Sequence, residues 1–240
     1  MLRALFQLIR LPNCFTAIPD VWAGWLIAGT FAALAADQFA IGLLVVGAVG
    51  FLSYAGGVAM NDLFDLRHDR EQRPERPLPS GRLSLRAAVL ITVLPLVVAL
   101  GLVLWWRPSA WPAIVVLIVL IVLYNALHKR VPVVGLPLMA ACRSANVVVG
   151  LSLGGHAWGT SHAAWIHPLV LGLWVLSISI VARLERRFGF AIRAVPRMIL
   201  AIALIDAAAV AIVTGRADLA LMVAVWIVPA AYLKRFFAMS

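Results

Sequence analysis

Charge is what this chain has least of. Only 12% of its 240 residues are charged, against roughly 25% in a typical soluble domain. Acids are scarcer still, with ten Asp and Glu beside twenty Lys and Arg. The two cysteines, Cys14 and Cys142, are too few for a disulfide scaffold. Both lie in apolar surroundings and read as reduced core residues rather than a bridge or a metal site. What the chain has instead is apolar surface: 64% hydrophobic residues and a mean hydropathy of +1.01. That excludes a disordered chain and a coiled coil, and it supplies about eight membrane helices of ~20 residues each. The composition is that of a polytopic membrane protein.

Apolar segments fall at 14–36, 39–61, 84–106, 110–127, 133–155, 163–182, 197–213 and 217–233. The expected fold is therefore an all-α transmembrane bundle of about eight spans, with a ninth allowed by an irregular division near the C-terminus. Assigning the connections to alternate sides gives the net charge of +10 its meaning. One side receives Arg3, Arg10, Arg67, Arg70, Arg73, Arg76, Arg82, Arg86, Lys129, Arg130, Arg183, Arg186, Arg187, Arg193, Arg197, Lys234 and Arg235. The other receives only Arg107 and Arg216. Such a bias is the positive-inside rule, with both termini cytoplasmic in a prokaryotic-type inner membrane. It marks topology and contact with the lipid bilayer, not nucleic acid. Residues 1–10 read as an interfacial amphipathic helix with Leu2, Leu5, Phe6 and Ile9 on its apolar side. Ala33-Leu34-Ala35 has the look of a signal-cleavage site, but the long preceding stretch holding Asp20 is expected to stay attached. No low-complexity linker interrupts residues 1–240, which read as one domain.

Half of the acids crowd into one place: Asp62, Asp65, Asp69, Glu71 and Glu75. On a helix, Asn61, Asp62, Asp65 and Asp69 fall within an arc of roughly 100°, whereas Arg67 and Arg70 point elsewhere. Asp65 and Asp69 repel each other at i, i+4. The helix C-terminus, where these acids lie, disfavours negative charge. Carboxylates gathered against these local preferences fit a divalent cation. Mg²⁺ is typically held by one or two carboxylates together with substrate phosphates. The loop that follows, Arg73-Pro74-Glu75-Arg76-Pro77-Leu78-Pro79-Ser80-Gly81-Arg82, ends the helix with prolines and brings cations back over the acids. A metal-bridged diphosphate with arginine clamps fits this chemistry; the bland alternative is a solvated, charge-mixed loop.

Asn61-Asp62-x-x-Asp65-x-x-x-Asp69 followed by Arg76-Pro77-Leu78-Pro79-Ser80-Gly81 resembles the first signature of the UbiA superfamily of membrane prenyltransferases. Tyr124-Asn125-Ala126-Leu127-His128-Lys129-Arg130 is similar to that family's second cytoplasmic stretch, and Leu11-Pro12-Asn13-Cys14-Phe15-Thr16-Ala17 to its first helix. Ala141-Cys142-Arg143-Ser144-Ala145-Asn146 most resembles the EboC-like branch. The resemblance implies a helical bundle around a cavity open to the membrane. It also implies Mg²⁺-dependent transfer of a prenyl group from a polyprenyl diphosphate to an aromatic or other lipophilic acceptor. On this reading Asn61, Asp62, Asp65 and Asp69 hold Mg²⁺ and diphosphate, and Lys129 and Arg130 hold the diphosphate. Tyr124 sits near the developing cation, Asn13 near the head group, and Arg76 and Arg82 assist from the loop. Asp62, Asp65, Tyr124 and Lys129 form the catalytic set.

One departure stands out. Where the family has a second aspartate-rich motif, this chain has Ala182-Arg183-Leu184-Glu185-Arg186-Arg187. Either Glu185 holds a metal, or Arg183 and Arg187 contact phosphate directly, or the stretch is a positive-inside loop with one balancing acid. A prenyl-lipid binding or transport protein that has lost the second motif is the alternative to a working transferase. Charges within spans are rare and often paired. Arg143, with Asn146 one turn on, contacts acceptor or diphosphate or else forms a structural pair with Asp20 or Asp206. His156, His162 and His167 read as surface residues of an external loop. A transporter would place its polar site near the midplane, whereas here it lies at the cytoplasmic mouth. A phosphatidyltransferase would need Asp-Gly where this chain has Asp65-Leu66.

Overall fold

The computed structural model describes residues 2–156, 162–188 and 194–236. Helices α1 (Leu2–Leu8), α2 (Leu11–Cys14) and α3 (Ala17–Ile27) open the chain. They are followed by α4 (Ala36–Phe64), α5 (Leu66–Gln72), α6 (Leu85–Trp106) and α7 (Trp111–Leu127). Then come α8 (Pro132–Leu153), α9 (Ile166–Phe188), α10 (Ala194–Thr214), α11 (Ala217–Ala224) and α12 (Ile227–Leu233). There is no strand among the described residues.

Among the described residues, six helices are long and apolar enough to cross a membrane: α4, α6, α7 with its preceding 3₁₀ turn, α8, α9 up to Leu184, and α10. The other two expected segments are helical but short. α11 and α12 break at Val225–Trp226, and the segment expected over 14–36 is interrupted after α3, where Gly29 turns the chain with φ 78° into a short 3₁₀ turn over Thr30–Ala33. α3 is also the most enclosed element, with every residue from Ala17 to Leu26 buried. It packs between α4, α8 and α10. Small residues permit the approach: a Cβ on Gly150 would strike the Val21 carbonyl oxygen, and one on Gly24 the Val147 carbonyl oxygen. Close contact through glycine is how membrane helices associate when burial against lipid gains little. The outward faces stay apolar, as along α6 at Leu90, Val93, Leu94 and Val97. In α1 the buried residues are Ala4 and Leu8, while Leu2 is exposed.

The bundle centre carries an ion-pair network. Arg143 Nη1 of α8 lies 2.8 Å from Asp20 Oδ2 of α3, and Asn146 Nδ2 donates to the same oxygen at 3.3 Å. Arg143 Nη2 donates to Thr16 Oγ1 at 3.0 Å. Nearby, His167 Nε2 of α9 approaches Asp206 Oδ1 of α10 at 3.0 Å. His167 is therefore a buried residue, not the surface residue expected: α9 begins at Ile166 and carries it into the bundle against Asp206. Of the other two histidines, His156 is half-buried and the side chain of His162 lies outside the described residues.

Candidate functional site

α4 ends at Phe64 and α5 resumes at Leu66, so Asp65 sits at the junction with its backbone shared between two helices. The junction keeps Asp62, Asp65 and Asp69 on one side, and all three are buried. Their partners come from elsewhere in the chain. Arg76, from the proline-rich loop, donates to Asp69 at 2.6 Å and lies 3.5 Å from Asp62. The loop thus does fold back over the acids. It is closed by the Ser80 hydroxyl donating to the Arg76 carbonyl at 2.6 Å and by Gly81 at φ 75°. Arg82 fastens it to α1 through Gln7 at 3.1 Å. Arg10 Nη2 reaches Asp62 at 3.6 Å, and Lys129 Nζ and His128 Nε2 meet Asp65 at 2.9 and 3.6 Å.

These groups surround a cavity of about 780 Å³ between α4, α7, α8 and α9, within the 300–1,000 Å³ usual for ligand sites. Its mouth is lined by Asn61, Asp65, Asp69, Arg73, Arg76, Lys129 and Arg183, with Arg10, Asn13, Tyr54, Tyr124 and Arg143 further along. Six arginines and lysines face two carboxylates, so the cavity is built for an anion. Beyond Tyr124 a narrower arm continues between α4, α7 and α8, with Arg143 and Asn146 in its wall. Tyr124 lines both parts and stacks on His128 with ring centroids 4.9 Å apart. The Arg143 guanidinium lies 5.4 Å from the centroid of the Tyr54 ring. Arg143 is paired with Asp20, as the structural reading expects, and it also lines the cavity.

Burial raises the pKa of Asp65, but hydrogen bonds from His128 and Lys129 and the Lys129 charge outweigh it and hold the carboxyl below its ordinary value. His128 is raised in turn, chiefly by its hydrogen bond to Asp65 and against the effect of burial.

Most of the residues picked from sequence converge here: Asn13, Asn61, Asp65, Asp69, Arg76, Tyr124, Lys129, Arg143 and Arg183 line the cavity, Asn146 lines its narrow arm, and Asp62 joins through Arg10 and Arg76. Arg130 is exposed and is not among the lining residues. The side chains of Glu185 and Arg187 lie outside the described residues. Arg10, His128 and Arg73 were not singled out from sequence. His128 carried a signal, since it follows Tyr124 by one helical turn. Arg10 carried none: its backbone is left-handed, φ 48°, the one positive-φ residue other than glycine among those described, and such a conformation is invisible in composition. No three acids, histidines or cysteines among the described residues converge on one metal position. Yet Asp62 Oδ1 is buried with no hydrogen bond, only the Arg10 and Arg76 guanidinium groups at 3.6 and 3.5 Å, and Asn61, Asp65 and Asp69 line the same cavity. That donor set fits an ion held by one or two carboxylates and completed by phosphate oxygens.

Residues 21–240 match the model of the UbiA prenyltransferase family. Over 186 residues the chain is 30% identical to a digeranylgeranylglyceryl phosphate synthase from Methanopyrus kandleri, covering 77% of this chain and 61% of that protein. The chain spans about half the length of the curated relatives it matches. A solved structure concerned with digeranylgeranylglyceryl phosphate synthase in membranes superimposes with a TM-score of 0.65 at 22% identity, over 98% of this chain and 88% of that one. A UbiA homolog from Archaeoglobus fulgidus bound to DMAPP and Mg²⁺ does so at 0.59 and 18%, over 97% of this chain and 86% of that one. The acid-bearing helix junction, the cations set against it and the family match over nine-tenths of the sequence lead to one assignment: the chain belongs to the UbiA prenyltransferase family.

Proposed function

We propose that this multi-span membrane protein, acting as one transmembrane domain, transfers a prenyl group from a polyprenyl diphosphate to a lipophilic acceptor. The observation that carries this is a single cavity with buried carboxylates and an excess of cations at its mouth and apolar walls beyond. In the reaction the allylic C1–O bond breaks and its electron pair leaves on the diphosphate. The acceptor atom then bonds to C1 and its proton is released. Mg²⁺, when bound, would neutralise the departing charge and lower that barrier. Asp65 and Asp69, with Asn61 and Asp62, would hold it, a role also supported by the relative bound to DMAPP and Mg²⁺. Lys129, Arg76, Arg10 and Arg183 hold the diphosphate oxygens from the side walls, with guanidinium forks suited to phosphate. Tyr124 offers its ring face where positive charge develops. From sequence alone, Glu185 is read as a further metal contact and Arg187 as a phosphate contact, while Arg130, exposed and outside the lining, would meet the diphosphate only as it approaches. The basic bias of the connections supports a cytoplasmic-membrane location with both ends on the cytoplasmic side.

Calorimetric titration with geranylgeranyl diphosphate, with and without Mg²⁺, tests this on wild type and Asp65→Ala. Mg²⁺-enhanced binding that the variant loses is the expected result. Equal affinity in all four titrations would overturn the metal–diphosphate site. Tight binding with no transfer to any copurifying lipid, read by mass spectrometry, would favour a prenyl-lipid carrier instead.

A further inference from the structure

His128 lines the cavity mouth, yet prenyl transfer as proposed above gives it nothing to do. Its position is fixed from three directions. The Tyr124 ring stacks on it with centroids 4.9 Å apart. Nδ1 lies 3.1 and 3.2 Å from the Tyr124 and Asn125 carbonyl oxygens. From α8, Gly135 packs so closely that an added Cβ would meet the His128 Cα at 2.9 Å and its Cβ at 3.0 Å. A carbonyl oxygen only accepts, so Nδ1 carries the hydrogen, and in the neutral ring Nε2 keeps its lone pair. Histidines that ligate metals share this arrangement. One ring N–H is donated to a carbonyl or carboxylate, which sets the tautomer and ring orientation, and the other nitrogen is left to bind.

Nε2 faces the acid motif. It lies 3.6 Å from Asp65 Oδ1 and 3.4 Å from Asn61 Nδ2. Two donors each about 2.1 Å from one divalent ion stand roughly 3.0–3.5 Å apart, so Nε2 and Asp65 Oδ1 are already close to the spacing of a ligand pair. Lys129 Nζ holds that same oxygen at 2.9 Å. The lysine is the most exposed of the three side chains, and a diphosphate offers it other oxygens, so the arriving substrate releases Asp65 toward a metal.

We propose that His128 Nε2 is a metal ligand beside Asp65, which makes the position a mixed nitrogen–oxygen site that takes Mn²⁺, Fe²⁺ or Co²⁺ as well as Mg²⁺. Carboxylate and phosphate oxygens alone suit Mg²⁺, whereas imidazole favours the later first-row ions. The acid motif by itself supplies only oxygens, from Asn61, Asp62, Asp65 and Asp69. This rests on the metal–diphosphate reading above and adds to it a ligand and a class of ion.

The test uses the untagged full chain in detergent with Mn²⁺ and geranylgeranyl diphosphate, and it reads the spectrum of the ion rather than turnover. Electron paramagnetic resonance first measures bound Mn²⁺ as the loss of free-ion signal beyond that caused by the diphosphate alone. No bound Mn²⁺ would count against the metal–diphosphate site itself. Given binding, the spin-echo modulation of the bound ion should show a directly coordinated ¹⁴N nucleus. Labelling only the histidines with ¹⁵N should shift those frequencies, which separates imidazole from any other nitrogen and needs no variant. His128→Gln should abolish the coupling. Competition of Co²⁺ against Mg²⁺ gives a second measure: the preference of the wild type for Co²⁺ should exceed that of His128→Gln by about tenfold or more, the scale on which metal sites respond to losing a partner. Bound Mn²⁺ with no histidine coupling, a coupling that survives His128→Gln, or an equal Co²⁺ preference in both proteins would overturn the inference while leaving an all-oxygen metal site standing.

Discussion

At Asp65 burial and pairing oppose each other, and pairing wins. Replacing it with alanine removes the anchor of Lys129 and, on the proposed reading, a ligand of the metal. Single-turnover prenyl transfer should fall about 10²–10³-fold, the scale of losing one preorganised polar group. The His128 contact makes the pair sensitive to pH. Asp65 is lowered, so its contribution is present above its unfolded value of 3.8 and is lost as pH falls through the lower folded one. His128 is raised, so its contribution is complete below 6.5 and is lost as pH rises through the higher folded value. Between about pH 6 and pH 8.5 the metal-free protein should lose roughly 1–2 °C in melting temperature, the size of a few tenths of a kcal/mol in a chain this long. His128→Gln should be flat over the same range; an equal slope in the variant would place the sensitivity elsewhere. At this scale the carboxylates and Tyr124-to-Lys129 were legible in sequence, because acids at a helix end contradict local preference unless something binds them. Arg10 was not, since it arrives through a left-handed turn from the far end of the chain.

Hydropathy located the eight apolar segments but could not grade them. It records which residues avoid water, not whether lipid or protein covers them. α3 is apolar because it is the bundle's core, and it ends at Ile27, short of a span. The same limit hid His167, whose neighbours in sequence resemble a loop while Asp206 waits on another helix. What fixes α3 is its crossing on α8, where the obstacle to a larger residue is backbone, which cannot rotate away. Gly150→Ala should therefore destabilise the protein by about 1–3 kcal/mol through overpacking and disturb the Arg143–Asp20 register that spans the same two helices. Gly101→Ala on α6, where an added Cβ meets nothing within 4 Å, should be neutral or gain up to about 1 kcal/mol in helix propensity. Thermal unfolding of the two variants in detergent makes the comparison. Equal stability would mean that the crossing relaxes more easily than its backbone contacts indicate.

Across the whole molecule the charge bias and the cavity agree on a direction. The mouth is built from the C-terminal ends of α4, α7 and α9 and the N-terminal ends of α8 and α10, with the loop before α6. Those are the connections that carry most of the cations. The opposite end holds Arg107, whose guanidinium sits against Gly155 just past α8, and Arg216 before α11. On the proposed reading the cation-rich end would both hold that side of the chain in the cytoplasm and supply the phosphate-binding groups, so an anionic substrate would enter from the same side. In a variant with Cys14 and Cys142 replaced, a cysteine introduced at the exposed Ser109 should react with an impermeant maleimide in intact cells. One at the exposed Arg130 should react only after permeabilisation. Labelling of both positions from the same face would refute the orientation. Reversed labelling would put the cavity mouth outside and require an external supply of prenyl diphosphate. In sealed vesicles of known orientation, geranylgeranyl diphosphate added to the face that labels at residue 130 should be consumed at once. The same substrate on the other face should stay untouched until the bilayer is breached.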